Sequence, residues 1–125
     1  MIVHVDTSLL VHAFSTRERL TMVDAAIGRG DRLVMSSVVE YEWRRGPRSP
    51  AQLALTDALF PESGIVVFGD GEARRAAQFY RQLPRARSRQ IDLMIAACAI
   101  DHGAVLWTLN PADFADIPGL TLYRP

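Results

Sequence analysis

Ile91-Asp92-Leu93-Met94-Ile95-Ala96-Ala97-Cys98-Ala99-Ile100-Asp101-His102-Gly103-Ala104-Val105-Leu106-Trp107-Thr108 is the stretch that decides the fold. Ile91–His102 is apolar almost all round, which predicts a helix buried at the centre of the protein rather than one lying on its surface. Gly103 ends that helix, and Ala104–Thr108 follows at once as an apolar run of strand length. A buried helix feeding directly into a buried strand is the repeating unit of an α/β layered fold with a mainly parallel sheet.

The same alternation extends towards the amino terminus. Ile2–Val5 is β-branched and apolar, a short buried strand, and residues 8–14 predict a helix starting just past Asp6. Thr21 to Ile27 predicts a helix that stops at the Gly28–Gly30 region. Leu33–Met35 is a second strand. Ser37 then opens a helix with Glu40 at capping-box spacing, and Gly46-Pro47 closes it. Pro50 opens another, reaching about Phe60. Ile65–Phe68 is a third strand, and Asp70 stands where it can cap the next helix. In that helix Ala73, Ala76, Ala77 and Tyr80 share one face, and Pro84 breaks it. Arg85, Arg87 and Arg89 form a basic loop before the buried helix. Leu120–Tyr123 is a candidate fifth strand. The expected architecture is a single domain over residues 1–125, a three-layer sandwich with a sheet of four to five strands between helices.

Composition narrows the function. Hydrophobic residues make up 49% of the 125, enough for a packed core without staples. Net charge is zero, so bulk charge gives no argument for nucleic-acid binding and any such site must be local. All fourteen basic residues are arginine, which excludes chemistry built on a lysine. Cys98 is the only cysteine and cannot form an internal disulfide; a small buried hydrophobe in a reducing cytosol is the expectation. There is no charged leader with an apolar core and no apolar run of ~20 residues, so a cytoplasmic protein with no membrane association is expected. His4 alternates with apolar strand residues, His12 sits mid-helix and His102 at a helix end, so each is expected to be structural. Trp43 and Trp107 lie in apolar runs and are expected in the core or at a subunit interface rather than stacked on bases.

Four acids stand where acids are unusual. Asp6 closes the first strand, Glu42 sits among apolar neighbours before Trp43, Asp92 opens the buried helix, and Asp113 follows the fourth strand after Thr108-Leu109-Asn110-Pro111. Each has an ordinary explanation alone: a helix cap for Asp6, the helix dipole for Asp92, a turn for Asp113 and Asn110. In a parallel sheet, however, ligands gather outside the carboxyl ends of the strands, and all four can reach that edge. Two carboxylates ~4 Å apart repel by roughly 4 kcal/mol at an effective dielectric of 20. Convergence therefore calls for a divalent cation or a shared proton. Oxygen donors without a Cys/His cluster select Mg²⁺ or Mn²⁺ over zinc.

Taken together, Val5-Asp6-Thr7-Ser8, Glu42-Trp43-Arg44-Arg45-Gly46, Asp92-Leu93-Met94-Ile95-Ala96-Ala97 with Ala99, and Thr108-Leu109-Asn110-Pro111-Ala112-Asp113-Phe114 followed by Pro118-Gly119-Leu120 resemble the PIN domain, and more narrowly the VapC-type toxin ribonucleases of bacterial toxin–antitoxin pairs. The resemblance covers nearly the whole chain. It implies a metal-dependent endoribonuclease that hydrolyses RNA phosphodiester bonds, with Asp6, Glu42 and Asp92 as the core acids binding Mg²⁺ or Mn²⁺. Relatives differ at the fourth position: some carry an acid where Asn110 stands, and others use the one three residues on, Asp113. Thr7, Ser8 and Thr108 match polar positions that orient acids or water, and Arg89 is the arginine expected nearest the metal. The resemblance also implies a cognate antitoxin and a homodimer. Arg44, Arg45 and Arg48 after Glu42, with Arg85, Arg87 and Arg89 before Asp92, are candidates for phosphate contacts or for an antitoxin segment.

Three competitors remain. A phosphoryl-transfer domain of receiver or dehalogenase type also carries acids at strand ends, but depends on a lysine that is absent, and Ser8 stands where the dehalogenase pattern has a second Asp. A PIN-like interaction module without turnover would keep the fold. A PIN nuclease acting on DNA is not separable by sequence.

Overall fold

The computed structural model describes residues 1–125. Four strands, β1 (Ile2–Val5), β2 (Arg32–Ser36), β3 (Ile65–Val66) and β4 (Val105–Trp107), form one parallel sheet in the order β3-β2-β1-β4. Six helices are strung between them: α1 (Thr7–Ala13), α2 (Arg17–Gly28), α3 (Ser37–Arg45), α4 (Pro50–Leu59), α5 (Asp70–Gln82) and α6 (Gln90–Asp101). Val3 pairs with Leu33 on one side and Val105 on the other, which makes β1 an interior strand. Strand alternation sends Val3, Val5, Leu33 and Met35 into the main core, while Val34 turns to the opposite face and meets Cys98 of α6. The expected layered α/β fold is the one observed.

Because every strand is parallel, Asp6, Ser37 and Thr108 leave the sheet at one edge. The chain runs β1 to β2 to β3 outwards in one direction, then returns to place β4 on the other flank of β1. The strand order reverses between β1 and β4, the point at which such sheets open a crevice.

α6 is as central as its composition predicts: Leu93, Ile95, Ala96, Ala97, Cys98 and Ala99 are buried. Burial pushes the Cys98 thiol up to about 12. Trp43 is also core, donating from its indole to Thr56 Oγ1 at 3.0 Å and packing on Phe14; Trp107 is buried against Tyr123.

Several expectations need correcting. α2 begins at Arg17 rather than Thr21, because Thr16 caps it by accepting from Arg19 N. α3 is capped by Ser36, which accepts from Val39 N, so the Ser37/Glu40 box does not form. Glu40 pairs instead with Arg44 one turn on, and Ser37 accepts from Phe68 N. The capping box lies on α4, between Ser49 and Gln52. β3 stops at Val66, since Phe68 N turns away to Ser37. Gly69, not Asp70, occupies the cap position of α5, with Glu72 accepting from its N–H. The fifth strand reduces to a single bridge, Leu106 with Leu122. The basic loop contains a short 3₁₀ turn, Ala86–Ser88.

Candidate active site

Asp6 sits at the cap position of α1 yet its carboxylate makes no capping bond. It is buried, and its Oδ2 accepts from Ser8 Oγ and from Thr108 Oγ1, both at 2.8 Å. Those hydroxyls lie 3.3 Å apart; Ser8 also accepts from Leu109 N, and Thr108 from Asn110 N. A compact polar knot thus joins the ends of β1 and β4 across the strand-order reversal and engages the Asp6 carboxylate in place of a helix-capping bond. Its main chain is fixed as well, Asp6 N donating to Trp107 O at 2.9 Å.

Glu42 reaches the same place from α3. Thr7 donates to its Oε1 at 2.6 Å, and Arg45 approaches its Oε2 at 3.7 Å. Asp92 enters in the first turn of α6 and Asp113 from the 3₁₀ turn Pro111–Asp113 after β4. Neither Asp92 nor Asp113 has a hydrogen bond or ion pair for its side chain. Asp92 is raised to about 6, first by burial and then by the negative charges of Asp6, Asp113 and Glu42, with Arg89 only partly opposing them. Asn110 is exposed beside them, held through its backbone.

As the side chains stand, no three acids are close enough to grip one ion. Asp6 and Glu42 are held by hydroxyls, Asp6 by Ser8 and Thr108 and Glu42 by Thr7. The donor set nonetheless suits a hard divalent cation: oxygen only, with Asp92 half-buried and unpartnered. Asp6, Glu42, Asp92 and Asp113 are the residues that would hold it.

The arginines sort differently from the expectation. Arg44 is taken up by Glu40 and Asp57, and Arg48 lies over the Trp43 ring at 4.1 Å. Arg89 is buried against Asp116, so it faces the protein rather than a substrate phosphate. Arg45, Arg85 and Arg87 remain exposed. His102 pairs with Glu72, and His4 is fully buried. Asp116 escaped the sequence reading; its only signal is its position three residues beyond Asp113.

A family model for the PIN domain matches residues 3–120. The chain belongs to the PIN domain family. Solved structures agree with this PIN assignment along the whole chain. A chain of VapBC2 from Rickettsia felis, bound to a DNA fragment from its promoter, matches at TM-score 0.74 and 20% identity, covering 98% of both chains. DNA-bound VapBC from Salmonella typhimurium matches at TM-score 0.74 and 22% identity, covering 98% of this PIN domain and 97% of that chain. A toxin–antitoxin complex from Klebsiella pneumoniae matches at 0.69 and 27%, covering 98% and 99%. At such identities the likeness is one of fold. No curated protein matches the sequence. No helix of this PIN domain is long and apolar enough to cross a membrane.

Proposed function

We propose that this PIN domain is the toxin of a toxin–antitoxin pair, an endoribonuclease that hydrolyses RNA with Mg²⁺ or Mn²⁺. One observation carries the proposal: Asp6, Glu42, Asp92 and Asp113 come from four separate elements, and Asp92 is raised to about 6 by its burial and then by the negative charges of Asp6, Asp113 and Glu42, with Arg89 only partly opposing them. The solved VapBC complexes of the same fold support an antitoxin as partner, and the family resemblance supports a homodimer and cytoplasmic action.

The chain's own groups divide the work. Ser8 and Thr108 hold Asp6 by one oxygen, while Thr7 holds one oxygen of Glu42 and Arg45 approaches the other. Asp92 and Asp113 contribute carboxylates without a hydrogen bond or ion pair. When bound, the cation supplies Lewis acidity for an in-line displacement at phosphorus by water. Arg45, Arg85 and Arg87 are the exposed guanidiniums on either side that can meet RNA phosphates. Imidazole acid–base catalysis has no support: His4 is sealed in the core, His102 is paired with Glu72, and His12 lies in the last turn of α1, at the opposite end of that helix from Asp6.

The test is cleavage of total RNA by purified, antitoxin-free protein with Mg²⁺ or Mn²⁺, beside Asp6→Ala and Asp92→Ala variants and an EDTA control. Discrete products that need metal and disappear in both variants are expected. Cleavage in EDTA overturns the metal mechanism. Inertness with every metal on RNA favours an interaction module, and cleavage of DNA alone favours the DNA nuclease.

A further inference from the structure

Arg89 is the most heavily engaged charged side chain in the protein, and it lies beside the acids without touching their carboxylates. It is 5% exposed. Its Nη1 donates to Asp116 Oδ2 at 2.9 Å and to Pro84 O at 3.2 Å. Its Nη2 donates to Asp116 Oδ1 at 2.5 Å and to the backbone carbonyl of Asp113 at 2.7 Å. The two-pronged grip on Asp116 is the geometry that only a guanidinium provides. Meanwhile its own backbone starts α6, accepting from Leu93 N at 2.9 Å, three residues ahead of Asp92.

We propose that Arg89 and Asp116 form a clamp that positions Asp113 against Asp92, the guanidinium holding the Asp113 main chain to the first turn of α6. The catalytic meaning of the clamp rests on the nuclease proposed above. Three features point to positioning rather than general stabilisation. Asp92 and Asp113 repel each other, so an untethered loop carrying Asp113 would swing outwards. Asp113 is itself exposed and has no side-chain partner to resist that movement, which leaves its backbone as the point of control. Finally, the clamp is built at a local cost. Arg89 Nε is buried with no acceptor, and Arg85, in the loop that Arg89 ties down through Pro84, adopts φ +54°, the only non-glycine residue with a positive φ.

The experiment compares wild type with Asp116→Asn, Asp116→Glu and Arg89→Lys. Mn²⁺ affinity is read from the electron paramagnetic resonance of free ion, amide hydrogen exchange is followed over residues 110–117, and the melting temperature is recorded. Removing a partner behind the metal ligands characteristically weakens metal binding about tenfold or more. Asp116→Asn and Arg89→Lys are expected to weaken Mn²⁺ binding by about that factor and to speed exchange in the Asp113 segment. Asp116→Asn leaves the Arg89 charge buried without a counterion, so its melting temperature should fall as well. Asp116→Glu, which restores a two-oxygen acceptor, should recover most of the affinity, and faster exchange confined to residues 110–117 separates loss of the tether from bulk destabilisation, which would speed exchange throughout the protein. Wild-type exchange and wild-type Mn²⁺ affinity in Asp116→Asn overturn the clamp. If wild type itself neither binds Mn²⁺ nor cleaves RNA, the nuclease falls and the catalytic role of the clamp with it, whereas the exchange comparison still decides whether the tether exists.

Discussion

His4 makes the protein's stability depend on pH in a direction that can be worked out. It lies on the interior strand β1, fully buried, and neither ring nitrogen has a hydrogen-bond partner. Burial lowers it from 6.5 to about 4; the neighbouring Val5 backbone relieves a little of that effect, and the His102 charge adds to it. The unfolded chain therefore takes up a proton near pH 6.5, while the folded protein refuses it until about 4. Stability is intact above the unfolded value and is lost as pH falls through this window. The full difference corresponds to ~3 kcal/mol, most of which is gone by pH 4.5. That is a large share of a typical ~5–15 kcal/mol. His4→Leu removes the titrating group and keeps an apolar side chain of similar size. Urea unfolding of both proteins, followed by circular dichroism from pH 7.5 to pH 4.5, isolates the His4 contribution, because the carboxylates common to both cancel in the difference. Wild type is expected to lose roughly 2–3 kcal/mol more than His4→Leu over that range. Parallel stability curves would refute the reasoning, since they would mean that His4 finds a partner or water in the folded state.

Three further outcomes follow from the site and core. Asp92 is shifted in the opposite sense, so its ionisation costs stability as pH rises through about 4 to 6. Asp92→Asn should raise the melting temperature in EDTA while abolishing cleavage, and a variant that melts at or below wild type would contradict the crowding of acids. Ser8→Ala combined with Thr108→Val strips both donors from Asp6; metal affinity measured by calorimetry should drop about tenfold or more, with RNA binding to the metal-free protein little changed. Trp43→Phe loses the bond to Thr56 and leaves a cavity, which should cost ~2–3 kcal/mol in chemical denaturation.

The sheet was legible wherever hydrophobicity alone specifies an element. Ile2–Val5, Leu33–Met35 and the α6–β4 stretch carry patterns that admit little else, and the structure places them as read. Legibility failed where neighbouring hydroxyls compete for one role. Ser36 and Ser37 both offer a cap for α3, and the choice falls to Ser36 because Ser37 is claimed by Phe68 N, a contact 31 positions away. The candidate site divides along the same line. Asp6, Glu42, Asp92 and Asp113 stand out because acids at the margins of apolar runs demand an explanation. Their holders are partly visible as Thr7, Ser8 and Thr108. The Arg89–Asp116 pair is not, because a salt bridge across 27 positions leaves no periodic trace, and an arginine in a basic loop looks like one available to substrate.

The lone sulfhydryl turns the centre of the molecule into a clock. Cys98 is fully enclosed in the middle of α6, and burial keeps its thiol protonated at any working pH. A thiol-specific reagent can therefore modify it only when the helix that carries Asp92 lifts from its bed. The labelling rate of the unaltered protein counts those openings directly, with no introduced probe. It also asks whether adding Mg²⁺ or Mn²⁺ slows the tick.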